Sequence, residues 1–499
     1  MDCTLLFATF SQLHGARGWP RQRLLHECLR TAIRDGRLAP GARLPATRAL
    51  AAQLGLARNT VLYAYEQLAS EGYVNPDRRG TRVAALAPPR PTAGAGAATA
   101  DGALSSGAQL SRRARPLQPG ADQSHVSGAF MPGVPALERF PLTLWRRMLE
   151  RAWRALAVRH LNYGEPGGEP ALRAAIADHV RAARGVVCEA AHVFITDGTQ
   201  HSLDLCTRAF ADAGDTAWLE NPGYGGALAA CRGAGLALEG IAVDLDGIAP
   251  APADWRRRPP KLIYATPSHQ YPTGSVLSLP RRLALIAGAR QAGALIIEDD
   301  YDSEFRHDGP PLPAMQGLVA DAPVLYLGTF SKTMFPALRI GFVITPAALA
   351  APFEQWLAQA AWRGRAAEQL ALAEFLREGQ FALHVRRMRR LYRQRRDALV
   401  AALERHFGAL ATVHGGSAGM HLALRLCDPG LDDAALSAAA LDAGIVAPAL
   451  SSQACAAGAG WNGFMLGYAQ VPAEHMDGLA AQLAALVRAA VTAGRASTP

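Results

Sequence analysis

Apolar residues recur with helical period in the first seventy positions. In RQRLLHECLRTAIR (21–34), Leu24, Leu25, Cys28, Leu29 and Ile33 share one face, which predicts an amphipathic helix. Gly36-Arg37-Leu38-Ala39-Pro40-Gly41 reads as a turn. Two shorter helices are expected over 46–54 and 58–71, separated by Gly55, and this is the pattern of a helix-turn-helix. Strands expected at 72–74 and 80–83, around the basic turn Asp77-Arg78-Arg79, add a wing. From about residue 126 the pattern changes. Short apolar runs at 261–265, 294–298 and 324–327 alternate with Ala/Leu/Arg-rich helical stretches, the rhythm of a mostly parallel sheet covered by helices and hence of an α/β fold. The intervening stretch is rich in Ala, Gly, Pro, Ser and Thr and buries too little apolar surface to fold alone. Three regions are therefore expected: a winged helix-turn-helix at 10–83, a flexible linker at 84–125 and a large α/β domain at 126–499.

Charge sharpens this division. The 499-residue chain has a formal net charge of +9, and residues 1–90 hold 13 arginines against 6 acids. A small basic module of that kind suits a polyanion such as DNA. No apolar run reaches the roughly 18 residues that a membrane-spanning helix needs, and residues 1–10 lack the marks of a secretion signal. The seven cysteines are scattered without a CxxC pair, which argues against a disulfide scaffold or a structural zinc site and fits a reducing cytoplasm. No metal site is expected.

The chain has only two lysines, Lys261 and Lys332, among 51 basic residues. Where arginine serves every ordinary need for positive charge, a retained lysine is a candidate for amine chemistry that a guanidinium cannot perform. Lys332 follows an apolar strand-like run in Tyr326-Leu327-Gly328-Thr329-Phe330-Ser331, with Arg339 downstream, an arrangement suited to an imine-forming amine beside a phosphate site. Glu298-Asp299-Asp300-Tyr301 ends another such run and offers a carboxylate for a protonated pyridine nitrogen. Thr196-Asp197-Gly198-Thr199-Gln200 precedes a helix whose N-terminus can cradle phosphate, and Asn221-Pro222-Gly223-Tyr224 sets an aromatic ring on a turn. No motif surrounds Lys261, and it is assigned no role.

The segment RLAPGARLPATRALAAQLGLARNTVLYAYEQLASEGYV resembles the GntR-type winged helix. The resemblance implies that Arg48, Arg58, Asn59, Thr60 and the wing residues Arg79, Gly80 and Thr81 face double-stranded DNA. Two positions depart from that family: Ala46 and Ala57 stand where serine is usual at helix starts, and each loses about 1 kcal/mol of capping. The motifs of the large region, in their order, resemble the class I aminotransferases of fold type I. That resemblance implies pyridoxal 5'-phosphate (PLP) as cofactor, Lys332 as its Schiff-base lysine and Asp299 as partner of the ring nitrogen, with Asp300 the less favoured choice. It further implies Tyr301 on the ring oxygen, Tyr224 stacked on the ring, and Gly198, Thr199, Thr329, Ser331 and Arg339 on the phosphate. Tyr163 would reach in from the second subunit of a homodimer.

Two departures matter in the large region. Tyr271, in Pro267-Ser268-His269-Gln270-Tyr271-Pro272-Thr273-Gly274, stands where the enzymes carry asparagine. Trp461 occupies the place of the arginine that clamps a substrate carboxylate. Either the ligand is not an ordinary α-amino acid, or another arginine substitutes, or the ligand is PLP itself. The whole arrangement resembles the MocR/GabR/PdxR group of bacterial regulators, which implies a PLP-dependent regulator that binds operator half-sites and senses a small amine or PLP. The alternative is a working aminotransferase with a fused DNA-binding domain. The run 384–396 holds seven arginines, read either as a helix with Val385, Met388 and Leu391 inward and its arginines solvated, or as a second DNA-contacting patch.

Overall fold

The computed structural model describes residues 3–14, 18–77, 80–85, 111, 113–114, 127–309, 312–361, 364–455 and 460–496. They divide into two compact units, Met1–Gln109 and Leu110–Pro499. Most of the expected linker, and Arg79 of the expected DNA contacts, lie outside the described residues.

In the N-terminal unit the apolar face read from the sequence is the buried face of the fold. Helices α1 (Cys3–His14), α2 (Arg21–Arg34), α3 (Thr47–Leu54) and α4 (Arg58–Ser70) are followed by strands β1 (Val74–Asp77) and β2 (Gly80–Val83). The strands pair antiparallel, Val74 opposite Val83. Leu25, Leu29 and Ile33 of α2 meet Leu50 and Ala51 of α3 and Val61, Ala64 and Leu68 of α4 in one core. The Tyr65 hydroxyl donates to the Pro45 carbonyl at 2.9 Å and ties α4 to the turn before α3. Gly55 ends α3 in the left-handed conformation, φ +62°, which makes the sharp turn between α3 and α4. Neither Ala46 nor Ala57 has a side-chain cap. The first strand begins two residues later than its sequence suggests. Gly72, at φ +77°, belongs to the turn that closes α4, and the Tyr73 amide bonds back to Leu68. Helix α1 has no counterpart in the sequence reading; Cys3, Leu6 and Phe7 seat it on the core.

The larger unit is built on an eight-stranded sheet of β3 (Val193–Thr196), β4 (Thr216–Asn221), β5 (Ala237–Asp244), β6 (Gly247–Ile248), β7 (Leu262–Ala265), β8 (Leu295–Asp300), β9 (Val324–Thr329) and β10 (Gly341–Ile344). Their order across the sheet is β3-β10-β9-β8-β7-β4-β5-β6. The central neighbours run parallel, while β10 is antiparallel to both β9 and β3, and β6 to β5. Alternation along the strands feeds two cores. Leu219, Ile297, Leu325 and Leu327 face the helices over 199–210 and 225–233. Trp218, Ile263, Ile296 and Val324 face the helix over 279–292. A separate antiparallel sheet of β11 (Ala411–His414), β12 (His421–Leu426) and β13 (Gly463–Gly467) packs with the long helices Gln380–Phe407 and Met476–Ala496. No helix among the described residues is long and apolar enough to cross a membrane.

The arginine-rich run lies on the helix Gln380–Phe407, with Val385 and Met388 buried and Leu391 packed beside them. Its arginines are not uniformly solvated. Arg395 is buried and donates to the Ala469 carbonyl and Glu138. Arg389 donates to the Glu304 carbonyl at 2.9 Å, and Arg396 to Asp308 at 2.6 Å. Arg389 and Arg396 tie the helix to the segment after β8, and Arg395 ties it to the segment after β13 and to Glu138, because a guanidinium has several donors to share among distant acceptors.

No atom lies within 4 Å of a Cβ built on Gly55, so substitution there costs conformational energy alone. Gly55→Ala is expected to destabilise the N-terminal unit by about 1–2 kcal/mol, and Gly55→Asn by less, in denaturant unfolding of the full chain.

Candidate functional site

Strand β9 delivers Lys332. The strand ends at Thr329, the Ser331 amide bonds the Thr329 hydroxyl at 3.2 Å, and that hydroxyl donates to the Ser331 hydroxyl at 3.1 Å. The tight turn directs Lys332 into a cavity of about 250 Å³ whose walls include Asp299, Tyr224, Tyr264, Tyr271, Tyr301 and His421. The Lys332 amine donates to the Gly133 carbonyl at 2.9 Å. A Cβ at Gly133 would lie 2.7 Å from that nitrogen, so only glycine leaves the amine its place. Burial lowers the Lys332 pKa against the opposing pull of Asp302 and Asp299.

Strand alternation sorts the three consecutive acids at the end of β8. Glu298 and Asp300 turn to one face. Glu298 accepts the backbone amides of Met315 and Gln316 at 2.8 and 3.1 Å. Asp300 accepts Arg184 at 2.7 Å and the Tyr326 hydroxyl at 2.6 Å. Burial pushes Asp300 upward, but Arg184 and Tyr326 more than offset it and hold the carboxyl below the usual range. Asp299 turns to the other face and into the cavity. Its Oδ2 accepts the Tyr264 hydroxyl at 2.8 Å, while Oδ1 is buried without any hydrogen-bond partner. Burial, only partly countered by Tyr264, raises the Asp299 pKa to about 7.

Aromatic groups close the cavity. Tyr224 caps the helix over 225–233 and meets the Tyr271 ring edge-on at 5.5 Å between centroids. The Tyr301 hydroxyl donates to the His269 carbonyl at 2.8 Å. At another end Gly198 starts the helix over 199–210 with φ +91°, and a Cβ there would lie 3.2 Å from the Arg339 guanidinium carbon. Arg339 itself sits in the left-handed region, φ +49°, a conformation that costs a non-glycine residue about 1–2 kcal/mol and recurs at functional sites.

Of the residues singled out by sequence, Lys332, Asp299, Tyr301, Tyr224 and Thr199 line one cavity. Gly198 and Arg339 touch each other next to Thr199 in the chain, and Thr329 and Ser331 bond each other before Lys332. Tyr163 is elsewhere: its side chain is 72% exposed. The sequence reading missed Tyr264, His269, Asp302 and His421. The Asp302 carboxylate pairs with His269 Nδ1 at 3.0 Å, and the His421 ring lies 4.5 Å from that of His269. These three residues set one donor atom each within 4.8 Å of one another. Tyr264 carries no motif and could not have been found from local pattern; His269 lies inside a motif that was read for Tyr271, and Asp302 directly follows one that ends at Tyr301. Trp461 is buried, and its indole N–H donates to the Val243 carbonyl at 3.3 Å. The Arg425 guanidinium lies over its ring at 5.3 Å and donates to the Gly460 carbonyl at 3.3 Å.

In the N-terminal unit, Arg48 lies in the first turn of α3, and Arg58, Asn59 and Thr60 form the first turn of α4. Arg48, Arg58 and Asn59 are exposed, while Thr60, Gly80 and Thr81 are half-buried. Neither Arg48 nor Arg58 makes an ion pair among the described residues, whereas Arg30 pairs with Glu27 at 2.7 Å and Arg37 with Asp35 at 2.8 Å. The two helix starts thus each present an arginine without an ion-pair partner among the described residues.

Comparison with known proteins accords with both units. Residues 22–83 match the bacterial regulatory proteins of the gntR family, and residues 139–483 match aminotransferase class I and II. The probable rhizopine catabolism regulatory protein MocR of Rhizobium meliloti is 40% identical over 438 residues, 87% of each chain. The pyridoxine biosynthesis transcriptional regulator PdxR of Corynebacterium glutamicum is 33% identical over 411 residues, 81% of this chain and 83% of that protein. The α-aminoadipate aminotransferase LysN of Thermus thermophilus, solved with N-(5'-phosphopyridoxyl)-L-leucine, superposes with a TM-score of 0.65 at 27% identity over 73% of this chain and 92% of its own. With a gntR-family winged helix joined to a class I/II aminotransferase domain of fold type I, and with such identity along most of its length, the chain belongs to the MocR/GabR/PdxR-type family of helix-turn-helix transcriptional regulators.

Proposed function

We propose that this regulator binds PLP through Lys332, binds operator DNA through its winged helix, and couples the two through a small amine effector or through PLP itself. The observation that carries the reading is the unpaired, buried Asp299 Oδ1 in the wall of the cavity that holds the Lys332 amine. A buried polar atom without a partner costs about 1–3 kcal/mol, and a protonated ring nitrogen would satisfy it. The residues present therefore fit the cofactor.

When bound, PLP supplies an aldehyde that takes up primary amines and a ring that is electron-poor when protonated. Burial shifts Lys332 toward the uncharged amine, which is its nucleophilic form. Asp299, its pKa raised to about 7, would hold the proton shared with a ring nitrogen and serve as its carboxylate partner. Tyr301 would bond the ring oxygen and Tyr224 would cover the ring face. The N-terminal turn at Gly198 and Thr199, the hydroxyls of Thr329 and Ser331, and Arg339 would hold the phosphate. Tyr163 would reach the site of a second copy. Val158 and Leu161, 83% and 73% exposed, add apolar surface near it in the chain, which suits a homodimer.

On the DNA side, Arg48, Arg58, Asn59 and Thr60, with Arg79, Gly80 and Thr81 of the wing, would contact a half-site. Two such units in a dimer would match a paired operator in the cytoplasm, and effector binding would bias how they sit on it. A working aminotransferase is the second reading, favoured by the Lys332–Asp299 arrangement. The absence of arginine from the cavity walls among the described residues disfavours it for ordinary amino acids.

Lys332→Ala is expected to abolish the visible absorbance that wild-type protein acquires on incubation with PLP. Arg58→Ala should weaken operator binding by about 1–3 kcal/mol in an equilibrium titration. Without cofactor, Asp299 releases its proton at about pH 7 when folded but near pH 3.9 when unfolded. The folded state therefore binds more protons between those values, and stability falls as pH rises through them. Asp299→Asn should flatten that part of the slope in urea unfolding compared at about pH 5 and about pH 8.

A further inference from the structure

The cavity walls beyond Lys332 carry acidic groups and no guanidinium. Among the described residues no arginine lines the cavity, and its acidic groups are Asp299 and Asp302. Asp299 is accounted for by the ring nitrogen under the reading above. Asp302 is not: it is 2% exposed, its Oδ2 engages His269 Nδ1 at 3.0 Å, and its Oδ1 has no partner. His269 Nε2 is likewise buried and unpartnered. The pair is held by backbone. A Cβ on Gly419, φ +78°, would come within 2.1 Å of the His269 ring and 2.6 Å of Asp302, and a Cβ on Gly274, φ +73°, within 3.2 Å of His269 Nε2. His421, first residue of β12, lines the same wall. The side chain at the position expected for a clamp and the one arginine beside it are turned to other work. Trp461 bonds Val243, and Arg425, over the outer face of that indole, bonds Gly460 and does not line the cavity.

We infer that the effector is a small primary amine without a carboxylate, recognised by Asp302 and His269 through a second hydrogen-bond donor, an ammonium or a hydroxyl group. This rests on Lys332 holding PLP, since the first amine is the group that would exchange there. A carboxylate at the second position would bring only acceptor oxygens to the buried Asp302 Oδ1, whereas a donor would satisfy that oxygen, which now has no partner. Diamines and amino alcohols share the required chemistry.

The test uses full-length protein loaded with PLP and a matched series: 1,4-diaminobutane, 4-aminobutan-1-ol, 4-aminobutanoate and L-alanine. Binding is followed by calorimetry and by the change in visible absorbance. The diamine or the amino alcohol should bind at least about tenfold tighter than either carboxylate-bearing amine. Asp302→Asn should reduce the ratio of diamine to 4-aminobutanoate affinity by at least about tenfold, a comparison internal to the variant. Equal or tighter binding of 4-aminobutanoate or L-alanine to wild-type protein would overturn the inference without any variant, and loss of that binding in Arg425→Met would identify Arg425 as a clamp instead. Failure of the protein to take up PLP at all would refute the cofactor reading, and that outcome is seen before any amine is added.

Discussion

Everything in the larger unit turns on the burial of an amine and a carboxyl in the same small cavity. Water would stabilise both as ions. Removed from it, Lys332 is pushed toward the free amine and Asp299 toward the acid. Each costs stability that the surrounding sheet must supply. The parallel pairing of β8 with β9, with Asp299 opposite Leu327, brings the two strand ends together. The glycine at 133 leaves room for the amine.

The same sheet explains why one of three adjacent acids is chosen. Period-two alternation sends Glu298 and Asp300 to backbone amides and to Arg184 on one face, where they stitch the sheet to the segment around Met315 and to the helix ending at Arg184. Asp299 alone faces the amine. Glu298, also raised to about 7 by burial, shows that a perturbed carboxyl by itself does not mark a site. Asp300 Oδ1 also lacks a partner; what distinguishes Asp299 among the three is that its unpartnered oxygen belongs to a side chain lining the cavity.

Much of this was legible in the sequence, for identifiable reasons. Helices α2, α3 and α4 carry period-3.6 patterns and are bounded by glycines, such as Gly55 and Gly72, in left-handed turns, so their limits fall within a residue or two of expectation. Strands β7, β8 and β9 are continuous apolar runs because both faces are covered. Helix α1 was passed over because its apolar residues were weighed only against a secretion signal. Tyr264 and His421 escaped notice because they join the site through contacts 35 and 152 residues distant from Asp299 and His269 in the chain, which no local spacing encodes. The arginine run looked like a solvated face because sequence does not show which carbonyls of a distant loop lie within reach of Arg389 and Arg395.

The N-terminal unit asks less of its surroundings: two helix starts with exposed arginines and a small core suffice to present charge to a duplex. The chemistry that would govern it lies with the amine. Because the chain has only two lysines, one experiment addresses that amine without ambiguity. Protein incubated with PLP is reduced with borohydride, digested and mapped by mass spectrometry. A single pyridoxyl adduct per chain on the peptide containing Lys332 is the predicted result; an adduct on Lys261, or none on either lysine, would contradict the account.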